Sequence, residues 1–204
     1  MRVVNLVAKV RADECTGCAI CAHVCPTLAI TMEKRDRLLP VIDETHCPGC
    51  WNCEQRCPER CIDMVPVEPY TIGLDAGKYN REEIEALCAR AKINPEQIVC
   101  FCTGTRADEL AAAVLEGAQN PGDLSRLTGT LTGCGVECCQ PMMRMLRAAG
   151  RDFGKPPGKG YQWYSDCITA WEIPQAVREQ HPRFRFEEDL ALLNQTLRAS
   201  REGV

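Results

Sequence analysis

Eight of the sixteen cysteines in this 204-residue chain fall into two runs of one spacing. The first is Cys15-Thr16-Gly17-Cys18-Ala19-Ile20-Cys21-Ala22-His23-Val24-Cys25-Pro26, and the second is Cys47-Pro48-Gly49-Cys50-Trp51-Asn52-Cys53-Glu54-Gln55-Arg56-Cys57-Pro58. Both read C-x2-C-x2-C-x3-C-P. Thiolates at this spacing hold the irons of [4Fe–4S] clusters, whose chemistry is the transfer of single electrons. Three closely spaced cysteines reach three corners of a cube, and the fourth, just before proline, points the other way along a short helix. The expected ligation therefore crosses over. Cys15, Cys18, Cys21 and Cys57 serve one cluster, and Cys47, Cys50, Cys53 and Cys25 serve the second. Zinc knuckles also use C-x2-C, but they close on two such pairs. Here each run carries three evenly spaced cysteines and a Cys-Pro.

The repeat reaches past the cysteines. Thr16-Gly17-Cys18 corresponds to Pro48-Gly49-Cys50, and Cys25 to Ile30 corresponds to Cys57 to Ile62, at a constant offset of 32 residues. Two similar units side by side follow from that offset. Cys61 occupies the place of Ala29, and reads as a small buried hydrophobe or as a substitute ligand. His23 and His46 flank cluster cysteines, where an imidazole either donates to a sulfur or faces solvent. Trp51 lies inside the second loop and is expected to shield it from water.

A second constellation begins at Ile98-Val99-Cys100-Phe101-Cys102-Thr103-Gly104 and is completed by Thr132-Gly133-Cys134-Gly135-Val136-Glu137-Cys138-Cys139-Gln140-Pro141. It offers a C-x-C before a helix, about thirty intervening residues, and a Gly-Cys loop that leads into another helix. A zinc site or a redox dithiol at Cys138-Cys139 are the competing readings of these residues.

Residues 1–68 resemble the bacterial two-cluster ferredoxins, a likeness carried by the two C-x2-C-x2-C-x3-C-P runs. The resemblance implies a βαββαβ fold with two short helices over a small sheet. Residues 96–150 resemble the bacterioferritin-associated-ferredoxin-like domain, also the middle domain of nitrogen-fixation scaffold proteins. That family holds a [2Fe–2S] cluster between loops at helix N-termini, where the positive dipole ends favour an anion. It closes with C-x2-C, whereas this chain offers Cys134-x3-Cys138 or Cys134-x4-Cys139. The Cys-Gln-Pro that opens the helix points to Cys139, so the resemblance implies Cys100, Cys102, Cys134 and Cys139 as the thiolates of a third cluster, with Cys138 as the alternative, and the wider loop leaves both [2Fe–2S] and [4Fe–4S] open.

These residues need elements to position them. Val3–Val10, Ile30–Glu33, Leu39–Ile42 and Ile62–Val67 are short apolar or β-branched runs that read as strands. The stretch 66–80, rich in Pro and Gly, reads as an irregular link. A helix starts at Asn80, an N-cap with Glu83 three residues on. It places Ile84, Leu87, Cys88 and Ala91 on one face, which makes Cys88 core rather than ligand. Helices follow over Arg106–Glu116, from Pro121 to a stop at Gly129, and from the Cys-Gln-Pro segment to Gly150. The expected class is α+β: a ferredoxin-like two-cluster domain (1–68), a linker and helix (69–95), a small helical cluster-binding domain (96–150), and a helical or irregular aromatic-rich extension (151–204). The extension holds Tyr161, Trp163, Tyr164, Trp171, Phe184 and Phe186, an isolated Cys167, and a Leu190, Leu193, Leu197 stripe. It either packs back on the cluster domains or docks a partner subunit.

The net charge of −4 gives no basic stripe for nucleic acid. No apolar run approaches the ~20 residues of a membrane span, and the N-terminus does not read as an export signal. A reducing, oxygen-poor cytoplasm is the expected setting. No dinucleotide or Walker glycine motif occurs, and only three histidines are present. The chain is therefore expected to be a non-catalytic iron–sulfur electron-transfer subunit. Its partner would be a catalytic oxidoreductase subunit carrying a tungstopterin or a flavin, with further donor subunits or ferredoxin. The order of domains resembles the iron–sulfur subunits of anaerobic enzymes, among them the one beside the tungstopterin subunit of class II (tungsten) benzoyl-CoA reductase. A free soluble polyferredoxin and a cluster scaffold or iron-handling module are the alternatives.

Overall fold

The β-branched stretch before the first cysteine run pairs with the one after the second. β1 (Arg2–Val10) lies antiparallel to β4 (Ile62–Ile72), in register from Val10 opposite Ile62 to Arg2 opposite Ile72. Between them β2 (Ile30–Lys34) and β3 (Leu38–Ile42) form a hairpin with Ile30 opposite Ile42. Helices α1 (Ile20–Val24) and α2 (Asn52–Arg56) carry the ends of the two cysteine runs. The order β1-α1-β2-β3-α2-β4 is the expected βαββαβ arrangement, built as two two-stranded ribbons. The computed structural model describes residues 2–152 and 172–199.

β4 runs on through Pro66 and Pro69 to Ile72, where the sequence alone suggests an irregular link. A bulge between Val4 and Leu6, opposite the segment from Pro66 to Tyr70, absorbs the prolines. A two-stranded ribbon has only edges, so a proline there need not break a ladder bond. Val4, Val7, Ala8, Ile30, Ile62 and Ile72 form the first core together with Cys15, Cys21, Cys25, Cys47, Cys53 and Cys61.

The second core is helical. Asn80 caps α3 (Arg81–Ala91), its side chain accepting from the N–H groups of Glu82 at 2.9 Å and Glu83 at 3.4 Å. A short ribbon of β5 (Ile98–Cys100) and β6 (Thr105–Arg106) leads into α4 (Ala107–Leu115). Asn120 caps α5 (Pro121–Thr128), and Gly129 ends it in the left-handed region. α6 (Cys139–Ala148) completes the set. Leu110, Ala111, Ala112 and Ala113 of α4 are fully buried, and the small alanines let α3, α5 and α6 close round that helix. Ile84, Leu87, Cys88 and Ala91 of α3 belong to this core, so α3 is built into the helical unit.

Beyond residue 171, α7 (Gln175–Gln180) and α8 (Phe186–Ala199) are helical. Among the described residues of 172–199 none is buried. Phe184 stacks at 5.7 Å from Phe186, with the Arg183 guanidinium 4.7 Å above its ring. Tyr161, Trp163, Tyr164, Cys167 and Trp171 lie outside the described residues. Among the described residues, no helix is long and apolar enough to cross a membrane.

Candidate metal centres

The two cysteine runs share a backbone as well as a spacing. Positive φ recurs at Gly17 and Gly49, at Ala19 and Trp51, and at Leu28 and Arg60, each pair 32 residues apart. Ala19 and Trp51 are the left-handed residues that turn each loop into its helix. A side chain is rarely tolerated there, and its recurrence shows that the two loops share one backbone shape. Gly17 and Gly49 are the tightest points. A Cβ on the first would collide with the Leu38 carbonyl oxygen, and on the second with that of Leu6.

Two cavities are each lined by thiols of both runs. Cys15, Cys18, Cys21 and Cys57 line one, joined by Cys61. Cys25, Cys47, Cys50 and Cys53 line another, with Trp51 on its wall. Each cavity takes three thiols from one run and one from the other. Among the described residues, no three His, Cys, Asp or Glu side chains converge as a single ion requires. A zinc ion draws four sulfurs to ~2.3 Å from one point. Four thiols that ring a space without converging on one point suit a sulfur-bridged group.

Peptide groups and hydroxyls point at these sulfurs. Ala8 N–H donates to Cys47 Sγ at 3.5 Å and Gly17 N–H to Cys15 Sγ at 3.4 Å. Cys25 Sγ lies 3.5 Å from Thr27 Oγ1. Burial pushes the Cys21 and Cys50 thiols up to about 11, and neighbouring thiols add to the shift. Cys53 moves in the same direction for the same reasons. Such thiols give up their protons only to a cation that replaces them. Cys61 Sγ stands 3.5 Å from Cys57 Sγ, and burial pushes it up to about 12. His46 is turned away to Asp43, Nδ1 to Oδ2 at 2.6 Å. Trp51 is 40% exposed, so it covers only part of the second loop.

The third constellation gathers as two thiol pairs. Cys100 and Cys138, both buried, are hydrogen-bonded to each other, which lowers the first and raises the second. Cys102 and Cys134, both exposed, form the other pair, and Cys102 Sγ also accepts from the Cys134 N–H at 3.3 Å. Backbone N–H groups of Glu137 and Val136 hold Cys134 below its usual range, as expected just ahead of a helix start. The loops touch closely here: a Cβ on Gly133 would lie 2.7 Å from Cys102 Sγ. Cys139, the first residue of α6, is buried and donates to the Gly135 carbonyl at 3.4 Å. Leu131 N–H donates to Cys138 Sγ at 3.2 Å. The structure thus brings Cys138 to Cys100. Two sulfurs per iron is the pattern of a [2Fe–2S] centre. Cys88 is wholly buried in the helical core, its Sγ 3.8 Å from the Ala107 carbonyl, far from these pairs in role.

A family model described as a 4Fe-4S binding domain matches residues 8–31, and one described as a BFD-like [2Fe-2S] binding domain matches residues 98–148. No curated protein and no solved structure matches the chain. The chain is a fusion of ferredoxin-type iron–sulfur domains, with a [4Fe–4S] domain first and a [2Fe–2S]-type domain after it. Its role is iron–sulfur electron transfer.

Proposed function

We propose that the chain is the non-catalytic electron-transfer subunit of a larger oxidoreductase. It relays single low-potential electrons through three clusters to or from a cofactor on its partner. The observation that carries this reading is the crossed lining of the two cavities, three thiols from one run and one from the other. Cys15, Cys18, Cys21 and Cys57 hold the first [4Fe–4S] cluster, and Cys25, Cys47, Cys50 and Cys53 hold a second. Cys100, Cys102, Cys134 and Cys138 hold a [2Fe–2S] cluster, in preference to a set containing Cys139.

When bound, each cluster supplies a site that gains or loses one electron. The chain's own residues fix the spacing and the surroundings. The peptide N–H groups of Ala8 and Gly17 favour the anionic thiolates and so favour the reduced state. Burial of Cys15, Cys21, Cys25, Cys47 and Cys53 keeps water from the cluster faces. At the third site Cys102 and Cys134 are exposed, and Phe101 between Cys100 and Cys102 is 74% exposed. An aromatic ring beside surface thiols suits a docking edge for a cofactor-bearing subunit.

The partner is a tungstopterin or flavin oxidoreductase subunit of an anaerobic cytoplasmic complex. The domain order supports the tungstopterin case, since it resembles the iron–sulfur subunit of class II benzoyl-CoA reductase. Buried cysteines shared between distant segments speak against a scaffold, which must release its cargo. Purification of the native complex without oxygen tests the reading. It is expected to give about ten irons per chain, four for each cubane and two for the third site, and a co-purifying subunit that carries the catalytic cofactor. Zinc in place of iron, or a chain that purifies alone with full substrate turnover, overturns it.

A further inference from the structure

Arg2 opens β1 and reaches in two directions. One terminal nitrogen, Nη2, donates to the Gly49 carbonyl at 2.7 Å. The other, Nη1, donates to Thr132 Oγ1 at 2.8 Å and lies 3.5 Å from its carbonyl. Gly49 sits between Cys47 and Cys50, and Thr132 lies two residues before Cys134. A single guanidinium therefore ties the loop of the second site to the loop of the third. Among the described residues its hydrogen-bond partners are all neutral, so the positive charge is not cancelled by an acceptor it holds.

A second contact joins the second site's segment to the helical domain that carries the third site. Leu28, just beyond Cys25-Pro26, packs on the helical core, and a Cβ on Gly122 of α5 would come within 2.7 Å of its Cδ1. The repeat counterpart of Leu28 is Arg60, which follows Cys57-Pro58 and is exposed. The two units are alike in backbone, yet among the described residues it is Leu28, on the second-site side, that packs on the helical core, while Arg60 is exposed. The sites are thus ordered first, second, third, with the Cys25/Cys47/Cys50/Cys53 site in the middle.

We infer that Arg2 is the positioning residue for electron passage between the second and third sites, holding their loops together and placing one positive charge between them. This rests on the cluster assignment proposed above. An electron that passes leaves one cluster oxidised and the other reduced. It makes or breaks no bond and moves no proton. Reduction adds negative charge on either side of the guanidinium, so Arg2 raises the reduction potential of both clusters and leaves the remote first cluster alone.

The test uses the full chain, loaded and handled without oxygen, as wild type, Arg2→Gln and Arg2→Lys. Iron content, potentiometry of each cluster followed by electron paramagnetic resonance, and the magnetic coupling between reduced clusters are read together. Arg2→Gln is expected to lower the reduction equilibrium of the second and third clusters at least threefold each, ~28 mV at 59 mV per decade for one electron. The coupling between them weakens, and the first cluster is unmoved. Arg2→Lys restores the potentials, but not the full coupling, because one ammonium cannot span both loops. Full iron with unchanged potentials in Arg2→Gln overturns the inference, as does an equal shift at all three clusters. If Arg2→Gln does not load, Arg2→Lys is read alone: potentials near wild type with weakened coupling uphold the bridge, and unchanged coupling overturns it. Iron absent from the wild type itself instead overturns the cluster assignment.

Discussion

The sulfur of Cys61 lies 3.5 Å from the sulfur of Cys57, inside the cavity of the first site. A protonated thiol there is a donor to a ligand thiolate. Cys61→Ala is expected to keep full iron and to lower the potential of the first cluster only. The loss of one weak hydrogen bond, ~0.5–1 kcal/mol, corresponds to ~20–40 mV for one electron. Potentiometry of the separate signals measures this. A loss of four irons would make Cys61 a ligand.

Cys138 and Cys139 separate at the third site. Cys138→Ser is expected to remove the two irons of that cluster and leave both cubane signals in place, while Cys139→Ser keeps ten irons. Iron analysis with low-temperature magnetic resonance decides between them. The opposite result would put the ligand on the first turn of α6.

Gly49 has φ +59 and packs against the Leu6 carbonyl oxygen. Gly49→Ala is expected to cost about 1–3 kcal/mol through backbone strain and the collision. The readout is faster bleaching in air of the second cluster than of the first. Equal bleaching of both would show that the loop gives way without cost.

Cys88 sits wholly inside the helical core, and burial pushes its thiol up to about 12. Its folded pKa is raised, so the stability it contributes is intact below pH 9 and lost as pH climbs toward 12. The unfolded chain ionises first in that window, which costs up to ~1.4 kcal/mol per pH unit. Cys88→Ala is expected to flatten the fall in unfolding free energy between pH 9 and 11, as followed by circular dichroism. Below pH 8 the variant is less stable than wild type by the lost packing of one sulfur. An identical alkaline slope would place the ionisation elsewhere.

The cysteine spacing made the two four-thiol sets legible, because a fourth cysteine on a short helix has one direction in which to point. The strands and the helices α3 to α6 were legible for similar local reasons, from Asn80 and Asn120 as caps and Gly129 as a stop. Three features were not. β4 continues past Pro66 because a bulge absorbs the prolines, and a bulge leaves no mark in composition. Cys138 and Cys139 are adjacent, and consecutive residues at a helix start diverge by ~100°, so spacing alone does not choose between them. The Cys-Gln-Pro pattern favours Cys139, while the geometry pairs Cys138 with Cys100. The links from Arg2 to Thr132 and from Leu28 to Gly122 join segments about a hundred residues apart with no shared motif. They are products of how two cores meet.

The crossed thiol sets also bear on when the protein becomes competent during synthesis. On the proposed ligation, Cys15, Cys18 and Cys21 leave the ribosome long before Cys57, and Cys25 long before Cys47, Cys50 and Cys53. Neither cage closes until the second run has emerged, and then both close almost together. A nascent chain halted between the runs therefore holds four thiols with no complete cage, exposed to oxidation and to the wrong metal. Iron insertion belongs to the finished domain, and a cell making this chain has reason to guard the interval.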